Sequence, residues 1–147
     1  MTKAYGVPAI LAASLFAIAA HSQTAIQAGE WEVTEKTTME GVQPMAPTSK
    51  KTCLKAGEAE LERLLFPTPD EMKEHGCTYK EGATQAGVLR ATLSCPPSDT
   101  VAGVTATAEI TYSATSYEGT GQLEAKDKSG TTIKGKSVLN GKRVGDC

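Results

Sequence analysis

The stretch Val104-Thr105-Ala106-Thr107-Ala108-Glu109-Ile110-Thr111-Tyr112 alternates apolar and polar side chains without a break. Successive residues of a β-strand point to opposite faces of a sheet, so this period of two predicts a half-buried strand. The same alternation returns from Tyr117 to Ala125, and the residues from Asp127 to Gly130 predict a turn into a further strand, Thr131 to Leu139. The C-terminal half is therefore expected to be an antiparallel meander.

Shorter runs extend the strand pattern toward the N-terminus. Trp31 and Val33 share one face of a strand that starts at Gly29, and a short second strand is expected from Lys50 to Leu54. A hairpin is expected next, because two strand-like runs flank a polar loop, namely Cys77 to Lys80 and Leu89 to Cys95.

The fold class that follows is mainly β, an antiparallel meander of about six to eight strands that forms a barrel-like sheet or a sandwich. Gly119 and Gly121 fall on the inward face of their strand. Glycines there would allow the strong coiling that a closing barrel requires, although weak packing is the plainer explanation.

One short helical insertion is expected between Cys53 and Cys77. Leu61, Leu64 and Leu65 have helical spacing, and Pro67 ends that helix. The run Thr68-Pro69-Asp70-Glu71 is a capping box that predicts the start of a second helix. His75 and Gly76 suit its C-terminal end, so His75 is expected to cap the helix rather than to take part in chemistry.

Four cysteines, Cys53, Cys77, Cys95 and Cys147, predict two disulfides, since an even number in an exported chain usually means a disulfide framework. Four cysteines allow three connectivities, and sequence alone does not choose among them. The hairpin favours Cys77 with Cys95, which leaves Cys53 with Cys147. No C-x-x-C pair is present, so a zinc site is not expected.

The N-terminus has the layout of a secretory signal peptide. Lys3 precedes an apolar stretch from Val7 to Ala20 that is too short to span a bilayer, and small residues follow it. We expect residues 1–22 to be the signal peptide and residues 23–147 to form a single β-rich domain that is exported to the periplasm. With no cysteine near the cleavage point, no lipid anchor and no stable membrane anchor are expected.

Charge argues against nucleic acid as a partner. Lys3 is the only charged side chain in residues 1–22, so the rest of the chain carries 14 basic and 17 acidic side chains. These are interspersed along the chain, whereas a polyanion would require a basic face or stripe.

No catalytic constellation is found, so the protein is not expected to be an enzyme and no cofactor is expected. The chain has no Gly-x-Ser-x-Gly elbow, and His75 is the one histidine beyond the signal peptide. A free Cys147 beside Lys142 and Arg143 could act as a reactive thiol. Glu58, Glu60 and Glu62 are interpreted as the solvated face of a helix.

Methionine and tryptophan side chains suggest two further ligand-binding hypotheses. Met39 and Met45 could bind copper, because thioether sulfur favours Cu(I), although loop filling is the simpler interpretation. Trp31 could stack on a ligand, but an alternating Trp beside Val33 is more typical of a core.

The chain resembles the domain-of-unknown-function family 3617. The residues that carry this resemblance are Gly29-x-Trp31-Glu32-x-Thr34, the four spaced cysteines, Tyr117-x-Gly119, and the ending Gly141-Lys142-Arg143-Val144-Gly145-Asp146-Cys147. The resemblance implies a small periplasmic protein of proteobacteria, and it implies no activity, substrate or catalytic residue.

The expected function is that of a non-catalytic binding or accessory module, whose partner is an unknown small molecule or a periplasmic protein. The binding surface would be the concave end of the sheet for a small apolar or amphipathic ligand, or a sheet edge for a protein. The alternatives are a thiol-dependent redox protein and a periplasmic copper binder.

Overall fold

Seven strands form one antiparallel sheet in the computed structural model, which describes residues 25–82, 85–99 and 101–147. Their bounds are β1 Gly29–Met39, β2 Thr48–Leu54, β3 Thr78–Glu81, β4 Val88–Cys95, β5 Val101–Tyr112, β6 Ser116–Asp127 and β7 Thr132–Gly145. The order across the sheet is β2-β1-β7-β6-β5-β4-β3. The mainly β prediction is confirmed, and the outcome is a single open sheet rather than a closed barrel. The predicted signal peptide lies outside the described residues.

The alternation along the strands separates an apolar inner face from a polar outer face. We define the inner face as the one that carries Trp31 of β1, Leu89 of β4, Ile110 of β5 and Tyr117 of β6, which form one buried cluster. The outer face carries the threonines, lysines and glutamates between them, such as Thr107 on β5. The hydrophobic effect thus selects the side of the sheet that the helical segment covers.

Two short helices follow β2, α1 Glu62–Leu65 and α2 Pro69–Glu74. Leu61 and Leu64 are buried in the inner-face cluster, as their spacing predicts. The capping box is confirmed, because the Glu71 backbone N–H donates to Thr68 Oγ1 at 3.3 Å and the Thr68 N–H donates to Glu71 Oε2 at 2.8 Å. The Thr68 N–H and hydroxyl, which both donate to Glu71 Oε2, lower the pKa of Glu71. His75 is the C-cap residue, also as predicted.

Glycines in the central strands make room for large neighbours on the adjacent strands. Gly141 of β7 lies directly opposite Tyr117, and a Cβ at residue 141 would overlap the Tyr117 ring. Gly119 of β6 lies opposite Ile110, whose side chain occupies the space of its missing Cβ. Neither coiling nor weak packing is the main role of Gly119, since it allows close approach of a core side chain.

The N-terminal hairpin joins the sheet on the side of β7, and an aromatic contact holds it there. Trp31 on β1 and Tyr117 on β6 stack with ring centroids 6.2 Å apart, across the glycine of the intervening strand β7. Trp31 is fully buried, and its Nε1–H donates to the Gln27 carbonyl at 2.9 Å. The interpretation of Trp31 as a core residue is therefore correct.

Two disulfides tie the edges of the sheet. Cys53 on β2 is bonded to Cys147, which follows β7, and Cys77 is bonded to Cys95 of β4. This is the pairing that the hairpin favours. All four cysteines are paired, which indicates an oxidising, non-cytoplasmic environment.

Replacing Gly141 by alanine is expected to destabilise the fold by about 1–3 kcal/mol, since the new methyl group would force the Tyr117 ring out of its position. Gly121→Ala is the matched control, because a Cβ there meets Thr107 and Ser137 atoms at ordinary distances of 3.5 and 3.6 Å. Urea unfolding followed by the fluorescence of Trp31 measures both. Equal stability of the two variants would contradict the packing role of Gly141.

Removing the Cys53–Cys147 disulfide is expected to destabilise the protein more than removing Cys77–Cys95. The two bonds close loops with sequence separations of 94 and 18 residues, respectively. Chain entropy then assigns about 4.7 kcal/mol to the longer loop and about 3 kcal/mol to the shorter one. Thermal unfolding of the two paired Cys→Ser double variants tests this order, and the reverse order would refute the chain-entropy account.

Candidate functional site

A row of small side chains crosses the inner face beside the buried core residues. Residues opposite one another on antiparallel strands share a face, so the strand register alone defines this row. We call it the trough, and its members from β1 to β4 are Thr37, Ser137, Gly121, Ala108 and Ala91. Four inter-strand spacings make it about 19 Å long.

Apolar rows flank the trough on both sides. The row toward the core contains Leu139, Ile110 and Leu89, and the row on the other side contains Met39, Leu123 and Leu93. Ala91 is buried and Ala108 packs against the core cluster, whereas Thr37 and Ser137 are only partly buried. The trough is therefore covered at its β4 end and more accessible at its β1 end.

A hydrogen-bonded polar triad lies at the accessible end of the trough. The hydroxyls of Thr37 and Ser137 lie 3.0 and 3.1 Å from Glu35 Oε1 and 2.8 Å from each other. Glu35 is exposed and stands on the inner face, two residues from Val33 of the core. Lys50 of β2 and Glu81 of β3 also share this face by register and are exposed, but Glu35 differs from them in its hydrogen bonds to two inner-face hydroxyls.

Tyr117 contributes a buried polar atom that interacts electrostatically with Glu35 of this triad. Its side chain is 4% exposed, and its hydroxyl has no hydrogen-bond partner within the described residues. Burial, together with the negative charge of Glu35, raises the pKa of Tyr117 to about 12. Leaving a buried hydroxyl unpaired is unfavourable, so the Tyr117 hydroxyl and the triad mark this end of the inner face as the candidate site.

Depressions on the outer face are weaker candidates. One of about 610 Å³ is lined by residues that include Glu124, Lys134 and Lys136, and one of about 400 Å³ by residues that include Glu32 and Lys142. Acidic and basic side chains alternate there and are exposed, which is typical of the solvated face of an antiparallel sheet.

The motif at Gly29 and the C-terminal motif meet at one structural junction, separate from the polar triad. Gly29 has φ +137°, and a side chain there would collide with Arg143. Arg143 Nε donates to the Ala28 carbonyl at 2.7 Å, and its guanidinium also pairs with Asp146. These residues anchor β1 against β7 and lead the chain to Cys147.

The other residues singled out in the sequence do not converge on a site. Met39 ends β1, while Met45 lies in the following loop and is 51% exposed. Glu62 begins α1, and its Oε2 is buried without a hydrogen-bond partner in the described part of the chain. Among the described residues, no group of three or more His, Cys, Asp or Glu side chains could hold a metal ion.

Sequence reasoning missed Glu35, Thr37 and Ser137. The alternation that turns Trp31 and Val33 inward also turns Glu35 and Thr37 inward, so the sequence did indicate the position of these two residues. It did not indicate Ser137 as their partner, because Ser137 lies 102 residues from Glu35 and only the register of β1 with β7 joins them.

Titration of the tyrosines tests the environment of Tyr117. Its folded-state pKa of about 12 lies above the ordinary value of 10.0, so its contribution to stability is present below pH 10 and is lost as the pH rises to 12. Glu35→Gln is expected to lower the Tyr117 pKa, measured by absorbance at high pH, and Tyr117→Phe identifies the signal. Glu32→Gln, on the outer face of the same strand, should leave it unchanged. An unaltered titration in Glu35→Gln would contradict the proximity of the two groups.

No helix within the described ranges is long and apolar enough to cross a membrane.

Comparison with known proteins identifies one family. Neither the curated proteins nor the solved structures include a significant match. A family model described as "Protein of unknown function (DUF3617)" matches residues 26–147. Because this match covers most of the sequence, the chain belongs to the DUF3617 family.

Proposed function

We propose that the protein is a non-catalytic periplasmic binding module that holds a small amphipathic molecule in the trough. The observation that carries this proposal is the polar triad of Glu35, Thr37 and Ser137 at the accessible end of the trough. Small-molecule sites are mostly apolar surfaces with a few polar groups that fix the orientation of the ligand. The trough has this composition.

The two parts of such a ligand would meet different surfaces. An apolar chain would lie over Gly121 and Ala108, between the rows that contain Leu139 and Leu123. Burial of the chain would supply most of the affinity, at roughly 25 cal/mol for each Å² of apolar surface removed from water. The polar end would bind the triad, which would set the direction of the ligand.

The chemistry of the triad favours binding over catalysis. Ser137 is hydrogen-bonded to a carboxylate and a threonine, whereas an activated serine needs a base such as histidine beside it. His75 instead caps α2. The thiol alternative needs a free cysteine, and all four cysteines are in disulfides.

Export is part of the proposal and rests on two features. The N-terminal sequence has the layout of a signal peptide, and the two disulfides suit an oxidising compartment. In a bacterium with two membranes, that compartment is the periplasm.

A fluorescence assay with N-phenyl-1-naphthylamine, an uncharged apolar probe, tests binding in the trough. The protein, exported to a periplasm and purified without reductant, should enhance the probe's fluorescence on saturation. Gly121→Phe should weaken the probe's affinity by about tenfold or more, because the ring would fill the trough. Thr120→Phe adds the same ring to the outer face and serves as the control. No enhancement, or equal affinity in the Gly121→Phe and Thr120→Phe variants, would contradict the proposal.

A further inference from the structure

We infer that the trough selects ligands whose polar end is a protonated primary amine. This inference rests on the proposed function and names the chemical class of the ligand. It follows from the balance of donors and acceptors in the triad, and from the charge of Glu35.

The triad has too few hydrogens for its contacts. Its three oxygens, Glu35 Oε1, Thr37 Oγ1 and Ser137 Oγ, lie within 2.8 to 3.1 Å of one another. With Glu35 ionised, the two hydroxyls supply only two hydrogens, so one of the three close contacts lacks a donor. A ligand that brings hydrogen-bond donors would complete the cluster, and one that brings only acceptors would not.

The second carboxylate oxygen of Glu35 extends this excess of acceptors. Both hydroxyl contacts fall on Oε1, and Oε2 has no hydrogen-bond partner within the described residues. The buried Tyr117 hydroxyl is also unpaired there, and burial together with the negative charge of Glu35 raises its pKa. An ammonium group carries three N–H donors and no acceptor, which matches what the cluster lacks.

Glu35 has no ion-pair partner within the part of the chain that the structure describes. The ion pairs of the described chain join Lys51 to Glu30, Arg90 to Glu109 and Arg143 to Asp146, and none of them includes Glu35. Lys50, which lies opposite Val33, is the inner-face cation on the neighbouring strand β2, and it is exposed. Lys36 and Lys136 point to the outer face, and Arg143, which shares the inner face, donates to the Ala28 carbonyl and pairs with Asp146. A cationic head is therefore favoured at the triad, and an anionic head is disfavoured.

Geometry then assigns each part of an amine-headed amphiphile to a surface. The ammonium would lie against Glu35 at the accessible end, where water can still reach part of it. The chain would follow the trough from Ser137 over Gly121 toward Ala108, where the inner face becomes covered. Charge-assisted hydrogen bonds are about twice as strong as neutral ones, so the amine should be preferred over an alcohol of the same chain length.

The test compares four ligands with the same twelve-carbon chain, below their micelle-forming concentrations: dodecylamine, dodecyltrimethylammonium, dodecanol and dodecanoate. Each competes with N-phenyl-1-naphthylamine for the protein and for its Glu35→Gln and Glu32→Gln variants. Dodecylamine should bind about tenfold tighter than dodecanol, with dodecanoate weakest. Dodecyltrimethylammonium, which has the charge without N–H donors, should lie between dodecylamine and dodecanol.

The variants separate the head-group contact from the rest of the site. Glu35→Gln should remove the preference for dodecylamine and leave the affinity for dodecanol within about twofold, whereas Glu32→Gln should keep the preference. If dodecanol or dodecanoate competes as well as dodecylamine, or if Glu35→Gln keeps the preference, the amine inference is wrong while binding in the trough stands. If the naphthylamine probe itself does not bind, the proposed function fails, and the inference fails with it.

Discussion

The structure depends on the ring of Tyr117 lying across Gly141 and onto Trp31. This contact joins β6 to β1 over the intervening strand β7, and it requires that residue 141 have no side chain. It packs the N-terminal hairpin against the C-terminal strand and covers the part of the core around Trp31. Arg143 and the Cys53–Cys147 disulfide reinforce the same junction from the chain ends. The motifs that identify the family are thus largely architectural.

A consequence of this packing is that the large core side chains gather on one part of the inner face. Next to them the sheet carries glycine, alanine and serine, whose small side chains extend little from the sheet. A purely structural sheet would place larger apolar residues there, because interiors are packed at high density. Glu35 and its two hydroxyl partners stand at the margin of this region. Small residues together with one oriented carboxylate suit a ligand better than they suit a hydrophobic core.

Most strands and the start of α2 could be predicted because their signals are local, although β7, expected to end at Leu139, continues to Gly145. The period of two in β5 and β6 and the capping box from Thr68 to Glu71 each lie within one short segment. The pairing of β1 with β7 could not be predicted, since it joins residues about a hundred positions apart through packing that no local pattern records. Gly119 and Gly141 illustrate the limit, because their role is set by Ile110 and Tyr117 on neighbouring strands. The triad was missed for the same reason, as its third member comes from β7.

The central claim is that a ligand occupies the inner face, and methyl NMR of the exported protein with dodecylamine tests it most directly. Alternate residues of β5 provide an internal comparison, since the methyl groups of Ala106 and Ala108 point to the inner face and those of Thr105 and Thr107 point to the outer face. The account predicts saturable shifts of the two alanine signals, with the two threonine signals unchanged. Shifts confined to the threonines, or none on either face, would contradict it.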